Sequence, residues 1–302
     1  MITEGRSGSV GFVRRPNAGK STLMNRILRE KIAIVSDKPQ TTRHRLVGIL
    51  TDEHGQMVII DTPGVHKPRH RMNRRMVKIA VQALTEVDLV CLLADAATAF
   101  GSGVRYMLSL LGQLARRPIL ALNKVDAVSK PKLLPLIERY AEADLFDEIV
   151  PISALHGDGV DLLVDLIWQR LPIGPPMYDV ELSTVHPERF LVAERIREKV
   201  LHNTREELPF STAVLITGWD EDADTGFVSI RAEILVEKDS QRRILIGRGG
   251  QMIKKIGTLA RADLEAFLKH RIFLDLHVRS EPGWREKTHI LAELDRQPWS
   301  AS

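Results

Sequence analysis

A glycine, a lysine and a serine stand together at Gly19, Lys20 and Ser21, inside a stretch from Val10 to Thr22 that reads V-G-F-V-R-R-P-N-A-G-K-S-T. The chemistry such residues support is anion binding. Backbone N–H groups of a glycine-bearing loop and of a helix N-terminus converge on a phosphate, and Lys20 adds a full positive charge. The Ser21 hydroxyl supplies an oxygen for Mg²⁺. Arg15, Pro16, Asn17, Ala18, Gly19, Lys20, Ser21 and Thr22 make up that loop and helix start. The spacing is that of the phosphate loop G-x-x-x-x-G-K-[ST], with one departure. Arg14 stands where the first glycine belongs. An arginine adds a Cβ where the backbone must turn tightly. Two outcomes are expected: an unfavourable φ, or accommodation with the guanidinium pointing outward and weakened binding. Taken alone, G-K-S-T reads equally well as a capped helix start.

Two further motifs close strand-like runs. Val58-Ile59-Ile60 leads into Asp61-Thr62-Pro63-Gly64, and Pro118 to Leu122 ends at Asn123-Lys124-Val125-Asp126. In an open parallel sheet such ends emerge on one edge, where ligands bind. Asp61 can hold Mg²⁺ through water, and the Gly64 N–H can sense a terminal phosphate. Asp126 can accept two hydrogen bonds from a base edge. Guanine offers the adjacent N1–H and N2–H₂ donors, whereas adenine would leave the carboxylate unpaired, a penalty by which polar sites reject analogues. The stem of Lys124 can lie along the base, and Ser153-Ala154 falls where a backbone N–H can meet guanine O6. The three motifs in this order predict a GTP site.

Another loop, Ile246-Gly247-Arg248-Gly249-Gly250, joins an apolar stretch to a helical one. A G-x-x-G loop lets an RNA backbone approach closely while apolar neighbours pack on bases. Arg242, Arg243, Arg248, Lys254 and Lys255 surround it with positive charge. Lys67, Arg69, Arg71, Arg74, Arg75 and Lys78 form a second basic run, read first as a solvated helix face and second as a nucleic-acid contact.

The elements that must position these residues alternate between strand and helix. Strand-like runs are Val10–Val13, Leu46–Leu50, Gln56–Ile60, Val87–Ala94, Pro118–Leu122 and Ile149–Ile152. Between and after them, Gly19–Arg29, Tyr106–Leu114, Lys132–Ala143 and Gly159–Leu171 read as helices. The D-E-H-G turn makes the second and third strands a hairpin. The expectation is an α/β fold, a doubly wound and mostly parallel sheet with one antiparallel edge. Residues 1–172 form this first domain. Pro172-Ile173-Gly174-Pro175-Pro176 then breaks the pattern, so 173–186 reads as a linker. Residues 187–302 form a smaller α+β unit: a helix Pro187–Asn203, paired strands Ala213–Gly218 and Phe227–Glu237, a helix Gln251–Lys269 and a strand Ile272–Val278.

At 302 residues the chain has room for two such cores. No apolar run is long enough to span a bilayer. Met1 to Gly8 carries no hydrophobic signal segment, and the single cysteine, Cys91, lies in an apolar run and excludes an internal disulfide. A reducing, cytoplasmic setting is expected. The net charge of +4 permits an anionic partner.

On the motifs R-P-N-A-G-K-S-T, K-P-Q-T-T-R-H-R, D-T-P-G-V-H-K-P and N-K-V-D, all in family order, residues from Val10 to Ala154 resemble the GTPase domain of the Era family. I-L-I-G-R-G-G-Q-M-I-K-K-I-G resembles that family's C-terminal type II KH domain, so the likeness covers nearly the whole chain. The resemblance implies a GTPase using GTP/GDP and Mg²⁺ that binds the 3′ end of 16S rRNA and assists assembly of the small ribosomal subunit. It implies no DNA partner, a monomer, and a cytoplasmic location with peripheral contact at the inner face of the cell membrane as an addition. It further implies Mg²⁺ ligation by Ser21 and Thr42, with Thr41 as the neighbouring alternative, and K⁺ held beside the phosphates by Asn17. Val65, where many GTPases carry a water-orienting glutamine, implies slow intrinsic hydrolysis. Two other readings stand beside this one: an RNA-binding protein whose nucleotide site is impaired by Arg14, and a membrane-surface GTPase using the second basic run.

Overall fold

The computed structural model describes residues 5–14, 17–36, 46–61, 84–98, 100–204, 208–222, 224–290 and 294. The chain divides into two compact units, Met1–Val185 and His186–Ser302.

The first unit contains β1 (Gly5–Arg14), α1 (Lys20–Leu28), β2 (Leu46–Asp52), β3 (Gly55–Asp61), β4 (Leu89–Asp95), α2 (Ser102–Leu111), β5 (Ile119–Asn123), α3 (Lys130–Ala141), β6 (Glu148–Ile152), α4 (Val160–Arg170) and the short β7 (Ile173–Gly174). The sheet order is β2-β3-β1-β4-β5-β6, with β7 added to β1. β2 lies antiparallel to β3, while the β1–β3, β1–β4, β4–β5 and β5–β6 pairs are parallel. The central strands read as unbroken apolar runs because helices cover both faces. All five residues of β5 are buried, and so are the seven of β3. Each fully buried aliphatic side chain contributes about 1.5–3 kcal/mol. α2 begins a turn earlier than expected, because Gly101 in extended conformation starts it and Val104, Met107 and Leu111 then share the inward face.

Register aligns the strand ends. Phe12 pairs with Asp61, Arg14 with Leu93, Asp95 with Asn123, and Asn123 with Ile152. The β1–α1 loop, Asp61, Asp95, Asn123 and Ser153 therefore form one row along a single edge.

Of residues 173–186, expected as a linker, 173–185 are part of the first unit. β7 pairs with the start of β1, and a bridge joins Thr184 to Gly48 on β2. Pro175 and Pro176 end β7 after two residues, and the backbone beyond them offers N–H and C=O groups that bond to the sheet.

The second unit contains α5 (Glu188–Asn203), β8 (Ala213–Glu221), β9 (Val228–Val236), α6 (Asp239–Ile246), α7 (Gln251–Leu268) and β10 (Ile272–Ser280). Its sheet runs β10-β9-β8, with β10 parallel to β9 and β8 antiparallel. The parallel pair requires a crossover, which α6 and α7 provide. Ile256, Ala260, Leu264 and Leu268 recur every four residues on α7 and pack with Ile196, Val200, Ile230 and Ile234.

Candidate functional site

The phosphate-loop residues sit between β1 and α1. Gly19 precedes the helix at φ 88°, a left-handed conformation, and a Cβ there would lie 2.4 Å from Asn123 Nδ2. Only glycine fits. α1 has neither a side-chain cap nor an acidic residue in its first turn, so its N-terminal field is not neutralised locally. Asn17 is also left-handed, at φ 63°. Ser21 and Thr22 occupy the first turn of α1.

Lys20 and Asp61 are both buried, and the Lys20 ammonium is ion-paired with the Asp61 carboxylate. Burial, and then the nearby Arg14 guanidinium, pull the Lys20 pKa well below its ordinary value. The Asp61 carboxylate on the same ammonium acts in the opposite sense. Arg14 corrects both expectations made for it. Its φ is not among the positive ones, since it ends β1 in strand register with Leu93. Its guanidinium does not point outward: the residue is 7 % exposed, and burial pushes its pKa down to about 10.

Asn123 joins two of the predicted segments. Its Nδ2 donates to the Ala18 carbonyl at 2.8 Å, and its Oδ1 accepts the Ala154 N–H at 2.8 Å. Of the Ser153-Ala154 pair, from which a backbone N–H was expected to meet guanine O6, the Ala154 N–H is engaged by Asn123, which acts as a brace between loops. Lys124, at φ 67°, starts a short 3-10 turn, Val125–Ala127, that presents Asp126. The Ser153 side chain beside the Asp126 carboxylate is the main cause holding its pKa below the ordinary value, with His156 and Lys124 adding to the effect.

Two residues of this edge were missed by sequence reasoning. Asp95, at the end of β4, accepts a hydrogen bond from Lys124 Nζ at 2.7 Å. The signal was available, since it follows a buried apolar run just as Asp61 does. Arg26 on α1 donates through Nε to the Ala154 carbonyl at 2.7 Å and also to the Leu155 carbonyl. Nothing local to Arg26 announces that role. Arg15, Pro16, Thr41, Thr42, Thr62, Pro63, Gly64, Val65 and the basic run Lys67–Lys78 lie outside the described residues.

The donor set fits Mg²⁺ in the form that shares its ligands with a nucleotide. Among the described residues no group of three or more His, Cys, Asp or Glu side chains gathers to hold a metal. The Ser21 hydroxyl and the Asp61 carboxylate are hard oxygen donors, and Mg²⁺ commonly takes one or two protein oxygens plus phosphate oxygens.

In the second unit the G-x-x-G loop links α6 to α7. Gly247, Gly249 and Gly250 have φ of 74°, 59° and 77°. A Cβ at Gly247 would meet Met252 Cβ at 2.7 Å, whereas Gly249 and Gly250 have nothing within 4 Å. The first glycine closes the turn; the other two leave an open backbone surface. Arg242, Arg243, Arg248, Lys254 and Lys255 are all exposed around it, and Ile246 is half-buried.

Known proteins match both parts of the chain. The family described as 50S ribosome-binding GTPase matches residues 9–124, and the KH domain family matches residues 207–285. The GTPase Era of Geobacter metallireducens is 48 % identical over 289 residues, spanning 96 % of this chain and 97 % of that protein. The GTPase Era of Geotalea uraniireducens is 46 % identical over the same shares. A crystal structure of an Aquifex aeolicus Era variant bound to GDP·AlF4⁻ superposes with a TM-score of 0.89 at 35 % identity, covering 96 % of this chain and 98 % of that one. A crystal structure of Era with MgGDPNP and nucleotides 1506–1542 of 16S ribosomal RNA gives a TM-score of 0.90 at 35 % identity, with the same coverage. With both domains matched and nearly the whole length aligned, this chain belongs to the Era family of GTPases.

Proposed function

We propose that the chain is a GTP-hydrolysing switch whose second unit binds the single-stranded 3′ tail of small-subunit rRNA and so assists assembly of that subunit. The observation that carries the nucleotide reading is the single row of strand ends, with Asn123 bracing the phosphate loop against the Ser153–Ala154 loop. Lys20 and the helix N-terminus hold the phosphates, while Asp126 reads the guanine edge. Ser21, Asp61 and Thr42 hold Mg²⁺, which when bound neutralises charge on the phosphates. Asn17 helps hold K⁺ beside them. Hydrolysis is slow because Val65 offers no group to orient water.

RNA recognition rests on the open backbone at Gly249 and Gly250 and the exposed cations around it. The Era structure carrying 16S rRNA nucleotides supports this reading. A cytoplasmic site of action follows from a ribosomal partner. Among the described residues no helix is long and apolar enough to cross a bilayer; the peripheral membrane reading rests on the basic run Lys67–Lys78, which lies outside the described residues.

The test uses Asp126→Asn. It exchanges an acceptor for a donor, so GTP binding should weaken by about 1–3 kcal/mol and xanthosine triphosphate binding should appear. Unchanged GTP affinity in that variant would remove Asp126 from the guanine site. Gel shift with an oligonucleotide of the 16S rRNA tail checks the second half, with a double-stranded control expected to stay free.

A further inference from the structure

The turn that follows β6 uses its backbone groups almost completely. The Ser153 N–H donates to the Asp158 carbonyl at 2.9 Å, and the Gly157 N–H to the Ser153 carbonyl at 2.7 Å. The Ala154 N–H goes to Asn123 Oδ1 at 2.8 Å, and the His156 N–H to Ser153 Oγ at 3.2 Å. One donor in this run, the Leu155 N–H, meets no acceptor among the described residues. Leu155 is exposed, so that donor is open to a ligand.

The peptide that carries this donor is held from its other side. Arg26, in the last turn of α1, donates through Nε to the Ala154 carbonyl at 2.7 Å and through Nη2 to the Leu155 carbonyl. The Ala154 carbonyl and the Leu155 N–H belong to one planar trans peptide and point in opposite directions. Fixing the carbonyl on Arg26 therefore fixes the direction of the N–H, away from the guanidinium. Because the donor is a cation, the bond is charge-assisted and polarises the amide, which makes its N–H the stronger donor. The guanidinium lies against bare backbone: a Cβ on Gly157, at φ 101°, would stand 3.0 Å from Nη1. A side chain of the first helix thus sets a peptide 128 residues away, next to Ser153, whose side chain stands beside Asp126.

We propose that Arg26 is a positioning residue for guanine recognition: it orients the Ala154–Leu155 peptide so that the Leu155 N–H donates to guanine O6. The inference rests on the guanine site proposed above. Asp126 and Leu155 then divide the base between them. The carboxylate takes N1–H and the 2-amino group, and the N–H takes the oxygen at position 6. Loss of Arg26 weakens the second contact and leaves the first.

The experiment measures the affinity of full-length protein for GDP, for 6-thioguanosine diphosphate and for inosine diphosphate, by competition with a fluorescent GDP derivative. Sulfur at position 6 is a weak acceptor, whereas inosine keeps the oxygen and lacks the 2-amino group. The original chain, Arg26→Met and Arg26→Lys are compared. Arg26 is exposed, so neither substitution opens a core cavity. Methionine removes every donor; lysine offers a single point charge in place of the fork. The original chain should favour GDP over its 6-thio analogue by about tenfold, the worth of one hydrogen bond. In Arg26→Met that preference should fall to about threefold or less, with Arg26→Lys between the two. The preference for GDP over inosine diphosphate, which reports Asp126, should stay within about twofold of the original in both variants. If the 6-thio preference survives in Arg26→Met, or if both preferences collapse together, Arg26 does not act through this peptide and the proposal falls. Should Arg26→Met bind none of the three, Arg26→Lys decides by the same comparison. An original chain that binds GDP no better than ADP fails the guanine reading itself, which is a different result in a different sample.

Discussion

Replacing Asn123 by alanine deletes the side chain that joins the phosphate loop to the Ser153–Ala154 loop. Two hydrogen bonds disappear, Nδ2 to the Ala18 carbonyl and the Ala154 N–H to Oδ1, each 2.8 Å long. Asn123, Ala18 and Ala154 are 2, 0 and 1 % exposed, so water does not reach the abandoned groups unless the loops move. Each buried group left without a partner costs about 1–3 kcal/mol, or about 2–6 kcal/mol for the pair. That is a large share of the roughly 5–15 kcal/mol that stabilises a domain. If the loops stay in place, the loss shows as reduced stability. If they move outward to find water, stability recovers and nucleotide affinity falls, because ligand binding must then re-order both loops. The two losses together should still reach about 2 kcal/mol or more. Asn123→Asp keeps the acceptor for Ala154 but sets a buried carboxylate oxygen against the Ala18 carbonyl, so its loss should equal or exceed that of Asn123→Ala. Urea unfolding with and without GDP, followed by tryptophan fluorescence, together with titration of a fluorescent GDP derivative, reads both quantities. An Asn123→Ala protein within about 0.5 kcal/mol of the original on both measures would refute the brace.

Arg14→Gly removes a buried cation whose field lowers the charged state of Lys20, and it opens space at the phosphate loop; GDP affinity should rise by about tenfold, roughly 1.4 kcal/mol. A titration showing unchanged or weaker binding would mean that the arginine contributes a contact of its own. Gly249→Asp places a carboxylate where a Cβ meets nothing within 4 Å, at a φ of 59° that aspartate tolerates, so circular dichroism should show a folded protein while gel shift shows RNA affinity reduced by about tenfold or more. Gly247→Ala, with its Cβ 2.7 Å from that of Met252, should instead disturb the fold. The Cys91 thiol, pushed up to about 12 by burial, should resist alkylation at pH 8 until denaturant is added. Since the folded state keeps this proton more tightly, its contribution to stability is intact below pH 9 and is lost as pH rises toward about 12; rapid labelling of native protein would contradict the burial.

The parts of the site legible in the sequence were those whose chemistry lies beside its own secondary-structure signal. Lys20 follows a strand and opens a helix; Asp61 and Asn123 end apolar runs. The parallel sheet then brings such ends together without further information. What stayed hidden depends on partners distant in the chain. Arg26 bonds a carbonyl 128 residues away, and Gln56 a backbone N–H 122 residues away. Segment 173–185 misled for a related reason. Prolines and a glycine report that no helix or regular strand continues, and they say nothing about acceptors waiting on a sheet formed earlier in the chain. Arg14 misled because the glycine of the motif suggested a backbone requirement, whereas that position is ordinary strand in register with Leu93. A usable signal was present at Gln56 all the same. A glutamine inside G-Q-M-V-I-I-D, a run otherwise apolar enough to be buried on both faces, brings an amide that can engage four hydrogen-bonding groups. Regular β-ladders engage backbone groups, so its partners had to come from elsewhere, and backbone lying against the sheet outside its strands is the nearest supply.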